Sequence, residues 1–301
     1  LTFKGTTKIT DFNGNATTAV NPTGTTLSGF TNVPTASVGG VTKFTVDGEG
    51  LAIRADGSFY ISDEYGASIY HVSKTGQMQG VITPVQALIP QFSNPAYTGF
   101  TTESAAIATG IQTGGRRDNQ GMEAIDITPD GKFLVSMLQS ATRQDTPSNS
   151  DFNRSYTRLF VYDITKTGTP TSPVGHYLVE LPTVSTKGIG AAANKTAAQS
   201  EIVALSSSTF MVLTRDGNGN GAGNAGPKAT STGVGYADNP LVFKSIALVS
   251  TANATNLAGT IYETGYTSTV TGTAGTLAPI AGIVAATTTD FVNLLNANQL
   301  A

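Results

Sequence analysis

Three short stretches decide the fold: GEGLAI at residues 48–53, GMEAIDI at residues 121–127 and SEIVAL at residues 200–205. Each stretch places one glutamate at the start of an apolar strand, and these are Glu49, Glu123 and Glu201. A turn and a second apolar strand follow each glutamate, and the three copies lie at nearly equal spacing. Self-similarity at a fixed period indicates a repeat architecture, and short strands in groups of four are typical of propeller blades.

The strands around these stretches predict an all-β protein, a β-propeller of four-stranded antiparallel blades. The blades are predicted at residues 49–83, 123–181 and 201–262 of one propeller domain that covers residues 1–301, with 1–48 and 263–301 as partial blades or connections. Within the third blade, residues 259–262 are predicted as the fourth strand. Residues 290–300 could form a short helix.

The number of visible blades falls short of a ring. A propeller needs at least four blades to close, and an open one would expose long strand edges, which folded proteins avoid. We therefore expect the chain to be an incomplete segment of the full ring. The missing blades would lie on both sides of it or in a second cleavage product that completes the propeller.

Composition excludes several classes of partner. A formal net charge of −3 over 301 residues gives no basic field for nucleic acid or an anionic lipid surface, and no run approaches the ~18 apolar residues of a membrane helix. Cysteine is absent, which excludes disulfides and thiolate metal sites. The low charged content of 12% and four N-x-S/T sequons favour a secreted, extracellular glycoprotein. The sequon asparagines are Asn15, Asn153, Asn194 and Asn253.

The repeated glutamates are the main candidates for chemistry. Equivalent positions in successive blades lie around one axis, so Glu49, Glu123 and Glu201 are predicted to converge at one channel mouth. Carboxylates brought together repel, and a cation or a shared proton must relieve them. Oxygen ligands suit Ca²⁺ or Mg²⁺, and such a metal could polarise a phosphate or activate a water. The alternative is structural: each glutamate accepts hydrogen bonds from backbone N–H groups of the neighbouring blade and holds the ring together.

Charged residues at other strand ends extend this prediction. Because neighbours on a strand point to opposite faces, only one of Asp63 and Glu64 can face the channel, and Asp63 is preferred; an Asx-type turn is the alternative role. Asp216 is predicted as a further metal ligand. The fork of Arg215 could clamp a substrate phosphate or carboxylate, or it could pair with Asp216 or a channel glutamate.

Other motifs carry weaker signals. Arg116 and Arg117 could reach the rim, although solvent is the commoner environment for such a pair. Residues 216–221 read DGNGNG, like the opening half of a calcium loop, but the bidentate acid that should end such a loop is absent. His71 and His176 lie on apolar strands and are predicted to be packed imidazoles. No G-x-S-x-G elbow supports serine hydrolase chemistry.

Several motifs in order resemble the phytase-like (esterase-like phytase) β-propeller proteins of fungi and bacteria. They are EGL at 49–51 with FYISDEYG at 59–66, NQGMEA at 119–124 with PDGK at 129–132, LQSA at 138–141, SE at 200–201 with LTRD at 213–216, and FKSI at 243–246 with ATN at 254–256. The family's first glycine-rich blade and its last glutamate-containing blade have no counterpart here. The acidic signatures of the calcium-dependent alkaline phytase propellers are also missing.

The resemblance implies a secreted phytase-like propeller that hydrolyses a phosphate ester of a small anionic substrate with the help of Ca²⁺ or Mg²⁺. In this hypothesis the site residues lie at strand ends around the axis: Glu49, Glu123, Glu201 and Asp63 as catalytic carboxylates, Glu49, Glu123, Glu201 and Asp216 as metal ligands, and Arg215 as the substrate-binding residue. The alternative is a non-catalytic extracellular propeller that serves as a binding module or an assembly subunit, which the low charge and threonine-rich surface suit equally well.

Overall fold

The computed structural model describes residues 5–27, 29–95, 97, 99–100, 112–147, 154–185, 192–216, 243–273 and 275–295. Nearly all of its regular structure is β. In chain order the strands are β1 (Gly24–Leu27), β2 (Phe30–Val38), β3 (Val41–Phe44), β4 (Gly48–Ile53), β5 (Phe59–Asp63), β6 (Ile69–Val72), β7 (Met78–Ile82), β8 (Gln91–Phe92), β9 (Gln112–Gly114), β10 (Met122–Ile127), β11 (Phe133–Leu138), β12 (Tyr156–Asp163), β13 (Gly175–Glu180), β14 (Thr183–Val184), β15 (Lys195–Thr196), β16 (Ala198–Ala204), β17 (Thr209–Arg215), β18 (Lys244–Ser250), β19 (Val270–Thr271), β20 (Ala278–Pro279) and β21 (Thr287–Asn293). Within the described residues, the helical elements are a 3₁₀ turn, Gln86–Leu88, and one short helix, α1 (Ile261–Thr264).

Three antiparallel sheets of four strands form the body of the protein. The first blade has the strand order β4-β5-β6-β7, the second β10-β11-β12-β13 and the third β16-β17-β18-β21. A three-stranded sheet, β1-β2-β3, precedes them. The predicted all-β architecture of four-stranded antiparallel blades is confirmed, and the described part of the chain is a partial propeller.

The innermost strands bring the blades together, because β10 contacts both β4 and β16. Side chains alternate between the two faces of a strand, so the second blade can bury both of its faces. Leu134 lies in the core shared with the first blade, where Tyr60 is also buried, and Val135 lies in the core shared with the third blade, beside Phe210. Each such burial contributes about 1.5–3 kcal/mol, so the sequential blades stabilise one another.

The third blade departs from the prediction at its outer strand. Residues 259–262 are not a strand: Gly259 has φ +72°, and the side chain of Thr260 caps α1 by accepting a hydrogen bond from the Tyr262 backbone N–H. The fourth strand is β21, in which Asp290 pairs with Ala247 of β18. The helix predicted at 290–300 is therefore wrong for residues 290–293, which end a strand that begins with three β-branched threonines and also contains Val292. Residues 296–301 lie outside the described residues.

Both histidines are packed, as predicted. His71 stacks on Tyr60 with ring centroids 4.9 Å apart, and its Nε2 lies 3.1 Å from the Ser58 hydroxyl. His176 is fully buried and stacks on Phe160 with centroids 4.4 Å apart. Burial lowers the pKa of His176 to about 4, so its ring is neutral in the fold and belongs to the core.

Candidate metal centre

The three repeated glutamates do not all occupy equivalent positions, because Glu49 and Glu123 fall at the irregular step of their strands, whereas Glu201 comes directly after it. In β10 the ladder steps from Met122 to Ala124, which makes Glu123 the extra residue. In β16 it steps from Gln199 to Glu201, so the extra residue is Ser200. A bulge re-aims side chains locally, and Glu201 therefore takes the place of Ala124 rather than that of Glu123.

This displacement corrects the predicted convergence of all three glutamates. Glu49 and Glu123 are close enough for the charge of Glu49 to raise the pKa of Glu123. Glu201 is exposed and lies instead beside Asp126. The partial burial of the Glu201 carboxylate is the larger cause of its raised pKa, and the charge of Asp126 adds to it. Its carboxylate accepts a hydrogen bond from the Ile202 backbone N–H of its own strand at 2.9 Å. A backbone hydrogen bond from Ile125 of the second blade, the kind of contact that the structural alternative expects, lowers the pKa of Glu201.

Among the residues that the structure describes, the fold brings together the carboxylates of Asp47, Glu49 and Glu64. One carboxylate oxygen of each lies within 4.8 Å of those of the other two. Asp47 and Glu49 stand on the chain that enters and begins β4, and Glu64 follows the end of β5. The Glu64 backbone N–H donates to the Asp47 carbonyl at 2.9 Å, which fixes the two segments side by side. Three oxygen donors thus face one point.

Glu123 joins this group through Gln139. The Gln139 amide nitrogen donates to Glu64 Oε1 at 3.2 Å and to Glu123 Oε2 at 2.5 Å. On its other side Glu123 Oε1 lies 3.5 Å from the guanidinium of Arg215, which also donates to the Ser200 hydroxyl. Arg215 therefore pairs with a channel glutamate, which was one of its expected roles. Glu123 connects the acidic group to the guanidinium of Arg215.

Electrostatic repulsion in this group is visible in the pKa values. Burial, reinforced by the charges of Glu123, Glu49 and Asp47, raises the pKa of Glu64 to about 9. Burial and the charge of Glu49 raise the pKa of Glu123 to about 7. Burial and the charge of Asp47 also raise the pKa of the more exposed Glu49. The raised pKa values of Glu49, Glu64 and Glu123 show that these carboxyl groups resist ionising together. A cation placed among them would relieve this repulsion and would be strongly attracted.

A hard divalent cation fits these donors. Ca²⁺ lies about 2.3–2.6 Å from its oxygen ligands, so two ligand oxygens of one ion are at most about 5 Å apart. The spacing among Asp47, Glu49 and Glu64 stays within that limit. Every donor is a carboxylate oxygen, which suits Ca²⁺ and Mg²⁺ rather than softer metals. These residues could hold a metal ion.

Asp63 and Glu64 have the reverse of their predicted orientations. Asp63 is fully buried, and its carboxylate accepts hydrogen bonds from the backbone N–H groups of Asp47 and Gly66 and from the Tyr70 hydroxyl. Burial raises its pKa to about 6 even so. Asp63 therefore holds the turn, close to the Asx-type alternative, and it is Glu64 that faces the other carboxylates.

The position of Glu64 depends on a glycine in the next blade. A Cβ atom on Gly121 would lie only 2.1 Å from the Glu64 carbonyl oxygen and 2.7 Å from that of Asp63. Only glycine allows this close approach of two backbones. The G-M-E motif thus contributes two residues to the site: Glu123 as a carboxylate, and Gly121 as the gap into which the Glu64 turn fits.

Arg116 lies near the acidic group, and neither it nor Arg117 faces solvent as expected. Arg116 and Arg117 are both buried. Arg116 donates to the Tyr65 carbonyl at 2.6 Å, and its charge opposes the rise in the pKa of Glu64. Burial lowers the pKa of Arg116 itself to about 10. The guanidinium of Arg116 therefore offsets part of the negative charge of Glu64.

The remaining sequence candidates lie elsewhere. Asp216 is buried outside the group of three carboxylates and pairs with Lys244 at 2.5 Å, while its other oxygen accepts the Phe243 backbone N–H. Residues 217–221 of the predicted calcium-type loop lie outside the described residues. Of the sequon asparagines, Asn15, Asn194 and Asn253 are exposed, and Asn153 lies outside the described residues.

Sequence reasoning missed Asp47, Gln139 and the orientation of Glu64. Asp47 stands two residues before Glu49, so the D-G-E-G stretch at residues 47–50 could have indicated a second carboxylate at this position. Gln139 lies in the same LQSA motif that carries the family resemblance, but an amide that bridges two carboxylates has no pattern of its own. The strand ladder decides these contacts.

Two similar proteins give context. The chain is 32% identical over 225 residues to an uncharacterized secreted protein of Arthroderma benhamiae, which covers 69% of this chain and 41% of that relative, so the chain spans about two fifths of its length. The solved structure of Kuenenia stuttgartiensis hydrazine synthase aligns with this chain at 13% identity and a TM-score of 0.26. The alignment covers 69% of this chain and 52% of the hydrazine synthase chain. So distant a likeness carries no argument about this protein.

A family model matches almost the whole chain. Its description is "Phytase-like: Esterase-like activity of phytase", and it matches residues 1–283. The matched range includes every carboxylate of the acidic group as well as Gln139 and Arg215. Helices long and apolar enough to cross a membrane do not occur in the described ranges. The chain belongs to the phytase-like family.

Proposed function

We propose that this protein hydrolyses a phosphate ester at the acidic group, with a divalent cation held by Asp47, Glu49 and Glu64. The observation that supports it is the close set of three carboxylate oxygens, within 4.8 Å of one another, beside a fourth carboxylate and an arginine. A bound Ca²⁺ or Mg²⁺ would neutralise phosphate charge and lower the pKa of a water. The membership of the phytase-like family supports the same reaction class.

The residues of the chain have separate roles in this proposal. Glu64 is buried and held by Gln139, so it provides a fixed donor, whereas Glu49 is exposed and can reach an entering ion. Arg215 faces Glu123 and would bind the substrate phosphate through its planar fork. Gln139 keeps Glu64 and Glu123 in place and is a positioning residue. Glu201, Asp63 and Asp216 lie outside this arrangement.

Phosphate release is the direct test. With Ca²⁺ or Mg²⁺ and phytate as substrate, we expect the protein to release inorganic phosphate and Glu123→Gln to release at least about tenfold less, because the substitution removes a carboxylate beside the cation and the partner of Arg215. Glu201→Gln is the matched control, since it removes a repeated glutamate that lies beside Asp126, and it should retain activity. Absence of release with every divalent metal would contradict the proposal and favour a non-catalytic extracellular binding or assembly role.

We further propose that the protein is secreted and N-glycosylated. The Arthroderma benhamiae relative is a secreted protein, and the exposed sequons at Asn15, Asn194 and Asn253 are accessible to a transferase. When the chain is expressed through a eukaryotic secretory pathway, we expect a peptide N-glycosidase to lower its mass. Replacing all three asparagines with glutamine should remove most of that shift, and an unchanged mass in the parent protein would exclude the modification.

A further inference from the structure

The third blade packs one of its faces against the second blade, and its other face remains partly open. Side chains alternate along β17 and β18, so that Phe210, Val212 and Val249 are buried in the core shared with the second blade. The opposite face carries six apolar side chains that are exposed or half-buried: Val203, Met211, Leu213, Ile246, Leu248 and Val292. None of these six belongs to an apolar cluster of the described residues. They are called the open face below.

The strand pairing makes the open face one continuous apolar surface. Ladder partners place the six side chains in two rows that run across the sheet: Val203, Met211 and Leu248 in one, and Leu213, Ile246 and Val292 in the other. The charged residues Arg215 and Lys244 are partners at one end of these rows. A continuous apolar surface with charges at its border is typical of a protein interface.

The second blade has the same two rows, and there a neighbouring blade covers them. Met137 and Leu159, which are ladder partners in β11 and β12, are fully buried against the third blade. The strand register makes Leu213 and Ile246 their counterparts in the third blade. The face that each of these two blades turns towards its successor is therefore apolar, and in the second blade that successor is another four-stranded sheet.

We propose that the open face is the docking surface for a further four-stranded antiparallel blade, carried by the same polypeptide outside residues 1–301. The docked blade would present apolar side chains from alternate positions of its strands, as the third blade does to the second. The matched region is 41% of the secreted Arthroderma benhamiae relative, so most of that polypeptide lies outside it and has room for further blades.

A second copy of this chain fits the open face less well. The matching surface in this repeat is the side that a blade turns towards its predecessor, and on a second copy that side would have to come from the first blade. There Phe59 and Ile61 already pack with Val33 and Phe44 of the β1-β2-β3 sheet. Because this side of the first blade is largely occupied, a blade of the same polypeptide is the favoured occupant.

The docking surface is independent of the proposed hydrolysis. Its residues are separate from Asp47, Glu49 and Glu64, which would hold the cation. The measurements that test it use neither metal nor substrate, so a failure of one proposal leaves the other standing.

Thiol labelling tests the proposal directly, because the chain of 301 residues contains no cysteine. Leu248→Cys places a single thiol on the open face, and it is prepared both in residues 1–301 and in the complete polypeptide that the gene encodes. We expect its reaction with Ellman's reagent to be at least about a hundredfold slower in the complete polypeptide, since the docked blade must open before the thiol can react. Lys132→Cys at an exposed turn is the matched control and should react at the same rate in both.

A second variant measures the same contact through stability. Met211→Asp should lower the midpoint of thermal unfolding of the complete polypeptide by several degrees and leave that of residues 1–301 nearly unchanged, because the carboxylate is buried only where a blade docks. Val161→Asp, which is buried between the second and third blades, should destabilise both forms.

Three results would overturn the proposal. One is equal labelling of Leu248→Cys in the two forms, and another is a gene that encodes no further blade. The third is protection that appears in residues 1–301 as their concentration rises, which would assign the open face to a second copy of this chain.

Discussion

Replacing Glu64 with glutamine should abolish most of the stabilisation that a divalent cation gives to this protein. A ligand that binds only the folded state stabilises it by about 2.7 kcal/mol at a hundredfold excess over its Kd. Glu64 is the buried member of the group that also contains Asp47 and Glu49. Without its charge the remaining two carboxylates are more exposed and should hold the ion weakly. Thermal unfolding with Ca²⁺ and with EDTA measures the difference.

The same substitution should have the opposite effect without metal. In the unfolded chain Glu64 ionises near its ordinary pKa of 4.5, whereas in the fold its pKa is about 9 because of burial and the neighbouring carboxylates. Between these values the unfolded state binds fewer protons, so this group's contribution to stability is present below pH 4.5 and is lost as the pH rises towards 9. Glu64→Gln removes that loss and should raise the unfolding free energy at pH 8 by roughly 1–3 kcal/mol, since solvent screens part of the repulsion.

The two halves of this prediction check each other. At pH 8 the parent protein should gain stability from Ca²⁺, and Glu64→Gln should start more stable in EDTA and gain little. Glu201→Gln is the control, because Glu201 lies beside Asp126 rather than in the group, and it should respond to Ca²⁺ as the parent does. Equal stabilisation of Glu64→Gln and the parent by Ca²⁺ would show that the ion binds elsewhere.

The blades were predictable from sequence because their signals are local. An apolar strand, a turn with glycine and a second apolar strand recur within each blade, and the pairing of neighbouring strands follows directly from that order. The outer strand of the third blade was not predictable in this way. A long connection that contains α1 and the β19-β20 pair separates β18 from β21, and no local pattern specifies which later strand will return.

The candidate site was predictable only in part, and the reason is the register. Glu49 and Glu123 lie close to each other because each glutamate falls at the irregular step of its strand. In the third blade that step occurs at Ser200 instead, one residue before Glu201. A shift of a single residue redirects a side chain, and a sequence repeat cannot show where the ladder will bulge. The choice between Asp63 and Glu64 failed for the same kind of reason, since backbone donors around the turn selected Asp63.

The long connection is held to the second blade by a buried ion pair, Asp145 with Arg158. Both side chains are fully buried, and Arg158 Nε donates to Asp145 Oδ2 at 2.8 Å. Asp145 Oδ1 accepts from the backbone N–H and hydroxyl of Thr269, and Arg158 also donates to the Tyr262 carbonyl at 2.7 Å. Burial opposes ionisation of Asp145, but Arg158 and these hydrogen bonds outweigh it and lower its pKa. The pair therefore ties residues of the connection to β12.

Asp145→Asn should destabilise the protein by about 3–5 kcal/mol, because it leaves the guanidinium of Arg158 buried without a counter-ion. Chemical unfolding at neutral pH measures this loss. Asp130→Asn is the matched control: Asp130 forms a 3.5 Å pair with Lys132 in which both side chains are about half exposed, and such surface pairs contribute about 0–1 kcal/mol. Because Asp145 lies away from the acidic group, folded Asp145→Asn should still be stabilised by Ca²⁺. A loss no larger than that of Asp130→Asn would show that the connection does not depend on this ion pair, and a lost response to Ca²⁺ in the folded variant would show that the connection also supports the metal centre.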